Sequence, residues 1–392
     1  MADYCRFMLP RFSRSQQRSL WLRLHRWLGL SVALVFVLLG ITGSVLVFYL
    51  EIDQRLNPQL AVDAECQPHS LDEQFASLQQ AQPDRVGSWR LELPLWPQQP
   101  LTARYMTPHE TRGEAFAPLM VAVNPCTLAT TSRLWGHTLM TWVYQLHLEL
   151  LLDLQGRLIL AVVALLLLIS LISGIWLWWP QRWNKWPQAL RWRRSSHPLR
   201  NNLQLHNLAA LYTLPVTLGL LLTGLILEQP GWFDPLLKTI SPASPQPAMI
   251  QTAAADSAVS RQRASLQQVM ATARAALPDG EIRWIYTPAD ANAAYMLRIY
   301  RPGDISHRFA NHKVWVDQYS GQLLAVKTIV AHSHSERFMQ WLHPLHNGEA
   351  FGLPGRIAVA VCGLLPLLLF ITGLQRWRQK QRSQRDRKAA VG

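Results

Sequence analysis

Four stretches of the chain, residues 27–50, 158–179, 201–227 and 357–375, contain no Asp, Glu, Lys or Arg. Each has roughly the 20 apolar residues that a helix needs to cross a bilayer, so the pattern predicts four transmembrane helices. Long polar segments separate the first span from the second and the third from the fourth, and in them the pattern changes to strand-like alternation. Residues 121–129 (VAVNPCTLA) and 314–325 (VWVDQYSGQLLA) each read as a strand entering an Asn- or Asp-led turn, the start of a β-hairpin. Residues 90–95, 283–287 and 295–301 alternate as further strands, and residues 261–277 have helical apolar spacing. Each outer segment is therefore expected to be a small α+β domain. The Pro-, Ala- and Ser-rich residues 241–255 read as a linker.

Charge orients this arrangement. The 392 residues carry 38 Lys plus Arg against 24 Asp plus Glu, a net +14, which alone would suit a nucleic-acid binder. The four apolar blocks exclude a soluble fold, and the basic residues have another explanation. Six lie before the first span, six occupy residues 182–200 with no acid among them, and seven follow the fourth span with Asp386 the only acid. By the positive-inside rule these three pieces are cytoplasmic. Residues 51–153, with twelve acids against six basic residues, face outward. The expected order is a cytoplasmic N-terminus (1–26), first span (27–50), outer domain (51–145), second span (146–180) and cytoplasmic loop (181–200). A third span (201–227), second outer domain (228–342), fourth span (343–375) and cytoplasmic tail (376–392) follow. The first span is too long for a signal peptide and lacks a small-residue cleavage site near residues 49–53, so it reads as a retained anchor. Trp176, Trp178, Trp179, Trp183 and Trp186 at the inner end of the second span read as an aromatic belt. Of the four cysteines, Cys66 and Cys126 share the first outer segment, and the sequence leaves open whether they pair.

The chain is a tandem repeat. His25 is followed 17 and 18 residues later by Thr42 and Gly43, and His206 at the same distances by Thr223 and Gly224. His147 precedes Arg157 by ten residues, Ser173 by 26 and Gly174 by 27; His346 precedes Arg356, Thr372 and Gly373 by the same intervals. Trp142 and Trp341 each stand five residues before their histidine.

Ionisable groups at membrane depth are costly, and four histidines in two repeat-related pairs point to a shared chemistry. His25 and His206 open outward-running spans and belong at the inner surface; His147 and His346 open inward-running spans and belong at the outer. Two imidazoles from two helices at one height suit bis-histidine ligation of a b-type haem, so two such haems are expected. Zinc or copper would want further ligands. On an ideal helix 18 residues make five turns, which puts Gly43 and Gly224 on the histidine faces about 27 Å away, where they would leave room for the outer macrocycle. Gly29 is expected to keep the approach to His25 open. Arg157 and Arg356 either pair with haem propionates or snorkel to headgroups. His343 competes with His346 for the outer site; the repeat favours His346, because Tyr144 occupies the equivalent of His343. The remaining outer histidines read as ordinary surface residues, with His332 and His334 placed where a substrate could touch.

HRWLGL from His25, GIWLWWP from Gly174, HNGEAFGLPGR from His346 to Arg356 and the VWVDQYSG turn from Val314 to Gly321 resemble the PepSY-associated transmembrane proteins, often labelled iron-regulated membrane proteins. The resemblance covers nearly the whole chain and implies PepSY-like outer domains. Within that family the chain is most similar to the FoxB-type inner-membrane ferrisiderophore reductases, which are di-haem proteins. It departs from the PepSY hairpin in the first outer segment, where Cys126 and Leu128 replace an aromatic residue and a glycine. The expected protein is thus an α-helical integral protein of a bacterial inner membrane, with four transmembrane helices and two periplasmic α+β domains. It would pass electrons from quinol or a cytoplasmic reductase to a ferric siderophore, such as one of the hydroxamate type, with membrane lipid as its surroundings. No dinucleotide fingerprint follows a strand, and the inward loops are too short for a flavin or nicotinamide domain. Two other readings remain at this point: a non-catalytic PepSY anchor that regulates a periplasmic peptidase, and a quinone-linked cytochrome b carrier.

Overall fold

Both halves of the chain run through the same order of elements in the computed structural model, which describes residues 13–63, 65–114, 116–242 and 262–390. The first half comprises α1 (Arg14–Ser31), α2 (Ala33–Leu46), α3 (Tyr49–Leu56) and α4 (Leu71–Ala81), then β1 (Trp89–Glu92), β2 (Leu101–Tyr105), β3 (Leu119–Val123) and β4 (Thr130–Leu134). It closes with α5 (Leu139–Glu149) and α6 (Asp153–Trp178), and a short α7 (Trp186–Ala189) lies in the connector. The second half repeats this with α8 (Pro198–Tyr212), α9 (Leu214–Glu228), α10 (Pro230–Ile240) and α11 (Leu266–Ala276), then β5 (Glu281–Tyr286), β6 (Tyr295–Tyr300), β7 (His312–Val316) and β8 (Leu323–Lys327). It ends with α12 (His334–His346), α13 (Gly352–Gly363) and α14 (Leu365–Ala389). The expected linker at 241–255 falls largely, and Cys5 entirely, outside the described residues.

The chain divides into two compact units. The apolar unit holds the chain up to Ser44, Ile159–Leu225 and the residues from Ala360 onward. The α6 helix and the segment Glu349–Ala389 are each long and apolar enough to cross a membrane. The other two expected spans are bent pairs, α1 with α2 by 54° and α8 with α9 by 60°. Both bends fall seven residues after a candidate histidine, at Val32 and Thr213. Hydroxyls that bond back one turn, Ser31 to the Trp27 carbonyl at 2.8 Å and Thr213 to the Ala209 carbonyl at 2.7 Å, mark both places, and such bonds bend helices. Pro215 adds a missing N–H to the second. These bends remove the basis for projecting Gly43 and Gly224 along an ideal helix.

Small residues bring helices of this unit together. A Cβ on Gly40 would collide with the Gly363 carbonyl, and one on Gly363 would stand 2.7 Å from the Gly40 carbonyl oxygen. Ser44, one turn from Gly40, donates its hydroxyl to the Ala360 carbonyl at 2.7 Å. This is the close helix approach that Gly and Ser permit in membranes.

The other unit, Val45–Leu158 with Ile226–Val359, holds all eight strands. Contrary to the expectation of two separate outer domains, they form one antiparallel sheet in the order β4-β3-β2-β1-β5-β6-β7-β8. The halves join where β1 pairs with β5, with Leu91 opposite Ile285. One face carries a continuous core that includes Leu91, Val121, Ile285, Leu297 and Val314, capped by Leu78 of α4 and Val269 of α11. The two covering helices are tied together, since the Asp72 carboxylate accepts the backbone N–H groups of Leu266 and Gln267 at 2.6 and 3.1 Å. The alternate positions put Arg90, Glu92, Arg104, Trp284 and Arg298 on the opposite face. Cys66 and Cys126 form a disulfide across 60 residues.

A second correction concerns span starts. His147 and His346 lie on α5 and α12, which end before the spanning helices begin. The chain breaks at Leu150, Leu151 and Asp153, all with positive φ, and again at Gly348, φ 79°. A Cβ on Gly348 would collide with the Gly355 carbonyl, so glycine is required there both by the left-handed backbone and by space. The spans therefore begin later than residues 146 and 343, and the interval from His147 to Gly174 does not run along one helix.

Candidate functional site

In the apolar unit the sequence-predicted inner pair is assembled. The rings of His25, on α1, and His206, on α8, have centroids 6.4 Å apart and planes at 90°. The α6 and α14 helices hold the two rings by Nδ1. His25 Nδ1 lies 3.0 Å from both the Ser170 carbonyl oxygen and Ser173 Oγ, and the Ser173 hydroxyl itself donates to the Ser170 carbonyl at 2.7 Å. His206 Nδ1 lies 2.9 Å from Thr372 Oγ1, whose hydroxyl donates to the Leu368 carbonyl at 2.8 Å. The Ser170 carbonyl can only accept, so His25 Nδ1 carries the hydrogen, and His206 Nδ1 carries it when the Thr372 hydroxyl gives its proton to the Leu368 carbonyl. That leaves the Nε2 lone pair of both rings for a metal.

Gly174, next to Ser173, makes space for the His25 ring, whereas a side chain at Gly373 would only reach ordinary contact with His206. A Cβ on Gly174 would stand 3.0 Å from His25 Cε1, and one on Gly373 3.9 Å from His206 Cε1. The Ser-Gly and Thr-Gly dipeptides are visible in the repeat, but their role is not, because they serve histidines on other helices. Gly29 has no such function, since a Cβ there would meet nothing within 4 Å.

In the unit that holds the sheet His147 and His346 also meet, with centroids 6.3 Å apart and planes at 56°. The His343 ring packs 4.4 Å from that of Phe309. Arg157 and Arg356 are engaged crosswise by the other half of the chain. Arg157 contacts the Glu228 carboxylate at 3.1 Å and the Leu227 carbonyl at 3.4 Å; Arg356 contacts the Glu51 carboxylate and the Val47 carbonyl, both at 2.7 Å. Sequence reasoning missed Arg308. Its guanidinium lies over the rings of Tyr49 at 5.8 Å and Phe309 at 5.2 Å and enters no ion pair among the described residues. Only tertiary placement sets this arginine apart from the others. The remaining outer histidines have ordinary partners, such as His307 with Glu281 at 2.7 Å and His312 with Asp304 at 3.2 Å.

The two pairs fit axial ligation of haem. Two imidazole–metal bonds of about 2.0 Å put the nitrogens about 4 Å apart, and adding the ring radii gives a centroid separation of about 6 Å. Among the described residues no group of three or more His, Cys, Asp or Glu converges, so a zinc-type donor set is lacking. His25 presents the tautomer, and the pair the ring separation, that axial ligation of a porphyrin iron would need.

No curated protein matches the chain significantly. The family described as the PepSY-associated TM region matches residues 22–380. The matched stretch takes in the bends of both helix pairs, the fused sheet and all four paired histidines, and the chain belongs to this family of membrane proteins.

Proposed function

We propose that the protein is an inner-membrane ferrisiderophore reductase of the FoxB type, holding two b-type haems through His25 with His206 and His147 with His346. The observation that carries this reading is the hydrogen-bonded inner pair, in which Ser173 and Thr372 lock both rings with Nε2 free. A bound haem would supply reversible one-electron chemistry between Fe(III) and Fe(II). The chain's own residues bind and orient: four imidazoles offer axial nitrogens, two hydroxyls hold the inner rings, and Arg308, over Tyr49 and Phe309, offers a cation without an ion pair among the described residues. The cytoplasmic loops have no room for a nucleotide-binding domain, so quinol or a separate cytoplasmic reductase supplies the electrons. The acceptor is a ferric chelate on the periplasmic side. Hard oxygen ligands such as hydroxamates hold Fe(III) better than Fe(II), so one-electron reduction loosens the metal, and no acid, base or nucleophile is required.

The test adds a ferric trihydroxamate to the purified, dithionite-reduced protein. Reoxidation of a b-type spectrum in step with capture of Fe(II) by a ferrous chelator is the expected result. A b-type spectrum that ferric chelates leave unchanged would point to the electron-carrier reading, and a colourless protein to the anchor.

A further inference from the structure

A cavity of about 310 Å³ lies between α10, α12 and the polar face of β6 to β8, all within the unit that holds the sheet, and is large enough for a small ligand. Its sheet wall is a row of cations. Arg298 stands opposite Lys313, and Lys313 opposite Lys327, on three neighbouring strands. Like charges placed directly opposite one another destabilise a sheet. Compensation is thin: Lys327 pairs with Glu336 at 3.3 Å, and Arg298 is occupied by the Ala310 carbonyl and the Asn311 side chain. Half-buried Lys313 has no ion pair among the described residues. Burial pushes its amine below the usual lysine range, and Arg298 and Lys327 push it further. At the rim Lys238 adds a fourth cation, 3.5 Å from Asp234.

Such a wall costs stability unless something fills it, and an anion with several oxygens is what it complements. Its position adds a second constraint. Glu336 on the cavity wall precedes His343 by seven residues of α12, about two turns or 10 Å. The Arg298 guanidinium lies 4.6 Å from the Trp284 ring centroid, Trp284 is 5.8 Å from Phe309, and Phe309 is 4.4 Å from His343. A run of aromatic contacts thus leads from the cavity wall to the helix that carries His346.

We propose that this cavity receives the carboxylate-bearing ligand shell of a ferric chelate, so that anionic polycarboxylate complexes of Fe(III) are substrates. The iron in this statement rests on the reductase reading, whereas the anion rests on the cavity alone. Gallium(III) citrate, which cannot be reduced, tests the two separately by calorimetric titration into the purified full-length protein. It is expected to bind the unmodified protein, less tightly as salt is raised, and about tenfold less tightly after Lys313→Gln, which removes one charge-assisted contact. Because Lys313→Gln also relieves the row of like charges, the variant should unfold no earlier than the parent. Lys238→Gln, on the exposed rim, should weaken binding in the same direction. A gallium trihydroxamate should be indifferent to both changes. Absence of gallium citrate binding, binding that neither variant alters, or equal sensitivity of the trihydroxamate overturns the proposal. Lys313-dependent binding of gallium citrate without reduction of ferric citrate would overturn the claim that these complexes are substrates, and failure of the reduced protein to reduce a ferric trihydroxamate as well would overturn the reductase reading while upholding the anion site.

Discussion

Two hydroxyls decide how His25 and His206 present themselves. Groups that hydrogen-bond the far nitrogen of a metal-binding imidazole set its tautomer and typically carry a 10- to 100-fold effect on affinity. Ser173→Ala and Thr372→Val are each expected to weaken haem retention at the inner site by about tenfold or more and to shift its midpoint potential, with Ser173→Thr restoring both. Unchanged titration and potential in the alanine variant would contradict the role. A second residue-scale consequence concerns Glu92, which contacts Arg90 at 2.6 Å and Arg104 at 2.8 Å. Burial opposes its ionisation, yet Arg104 and Arg90 outweigh burial and hold the carboxyl below the ordinary range. Its folded value lies below the unfolded one of about 4.3, so its contribution is complete above that pH and is lost as the pH falls through the folded value. Glu92→Gln should cost about 3 kcal/mol at pH 7 by stranding two arginines, and its disadvantage should shrink on acidification. Parallel stability profiles from neutral to acid pH would refute this.

At the scale of elements, the apolar helices, the turns of the two hairpins and the α11 helix were legible because apolar length and alternation are local properties. The second hairpin lies within two residues of expectation, at His312–Val316 with Leu323–Lys327, and the first begins two residues early at Leu119–Val123, while its exit strand Thr130–Leu134 lies beyond the expected residues 121–129. The bends at Val32 and Thr213 were not legible. One has no proline, and in a continuous apolar run a back-bonding serine leaves no trace in hydropathy. The separation of α5 from α6 was hidden for a related reason: Leu150, Leu151 and Asp153 adopt positive φ without being glycine. The Gly40 contact was missed as well, since its partners lie more than 300 residues away. Gly40→Val should lower the thermal midpoint of the purified protein by the equivalent of about 3 kcal/mol or more, since the backbone leaves no room for added carbons. Gly29→Ala should be neutral or slightly stabilising, because its Cβ meets nothing and alanine is the better helix former. Equal losses at the two positions would show that helix propensity, rather than the Gly363 contact, controls the result.

For the molecule as a whole, duplication was legible and its closure was not. Repeat-related intervals identified which histidines correspond, and both expected pairs meet, at 6.4 and 6.3 Å. They did not reveal that the two outer segments share one sheet, because the β1–β5 pairing joins strands separated by almost 200 residues and strand pairing at that distance leaves no local pattern. Nor did they reveal that Arg157 and Arg356 bind carboxylates from the opposite half. Duplication thus does more than copy a unit: each half supplies one histidine to each pair, so neither pair exists without both halves. The most direct measurement is the haem content of the purified protein by pyridine haemochrome, for the parent chain and for His25→Ala and His147→Ala, all expressed with ample haem. Two b-type haems per chain, falling to one in either variant, is the predicted result; a parent chain without haem, or one that keeps both after His25→Ala, would contradict the account.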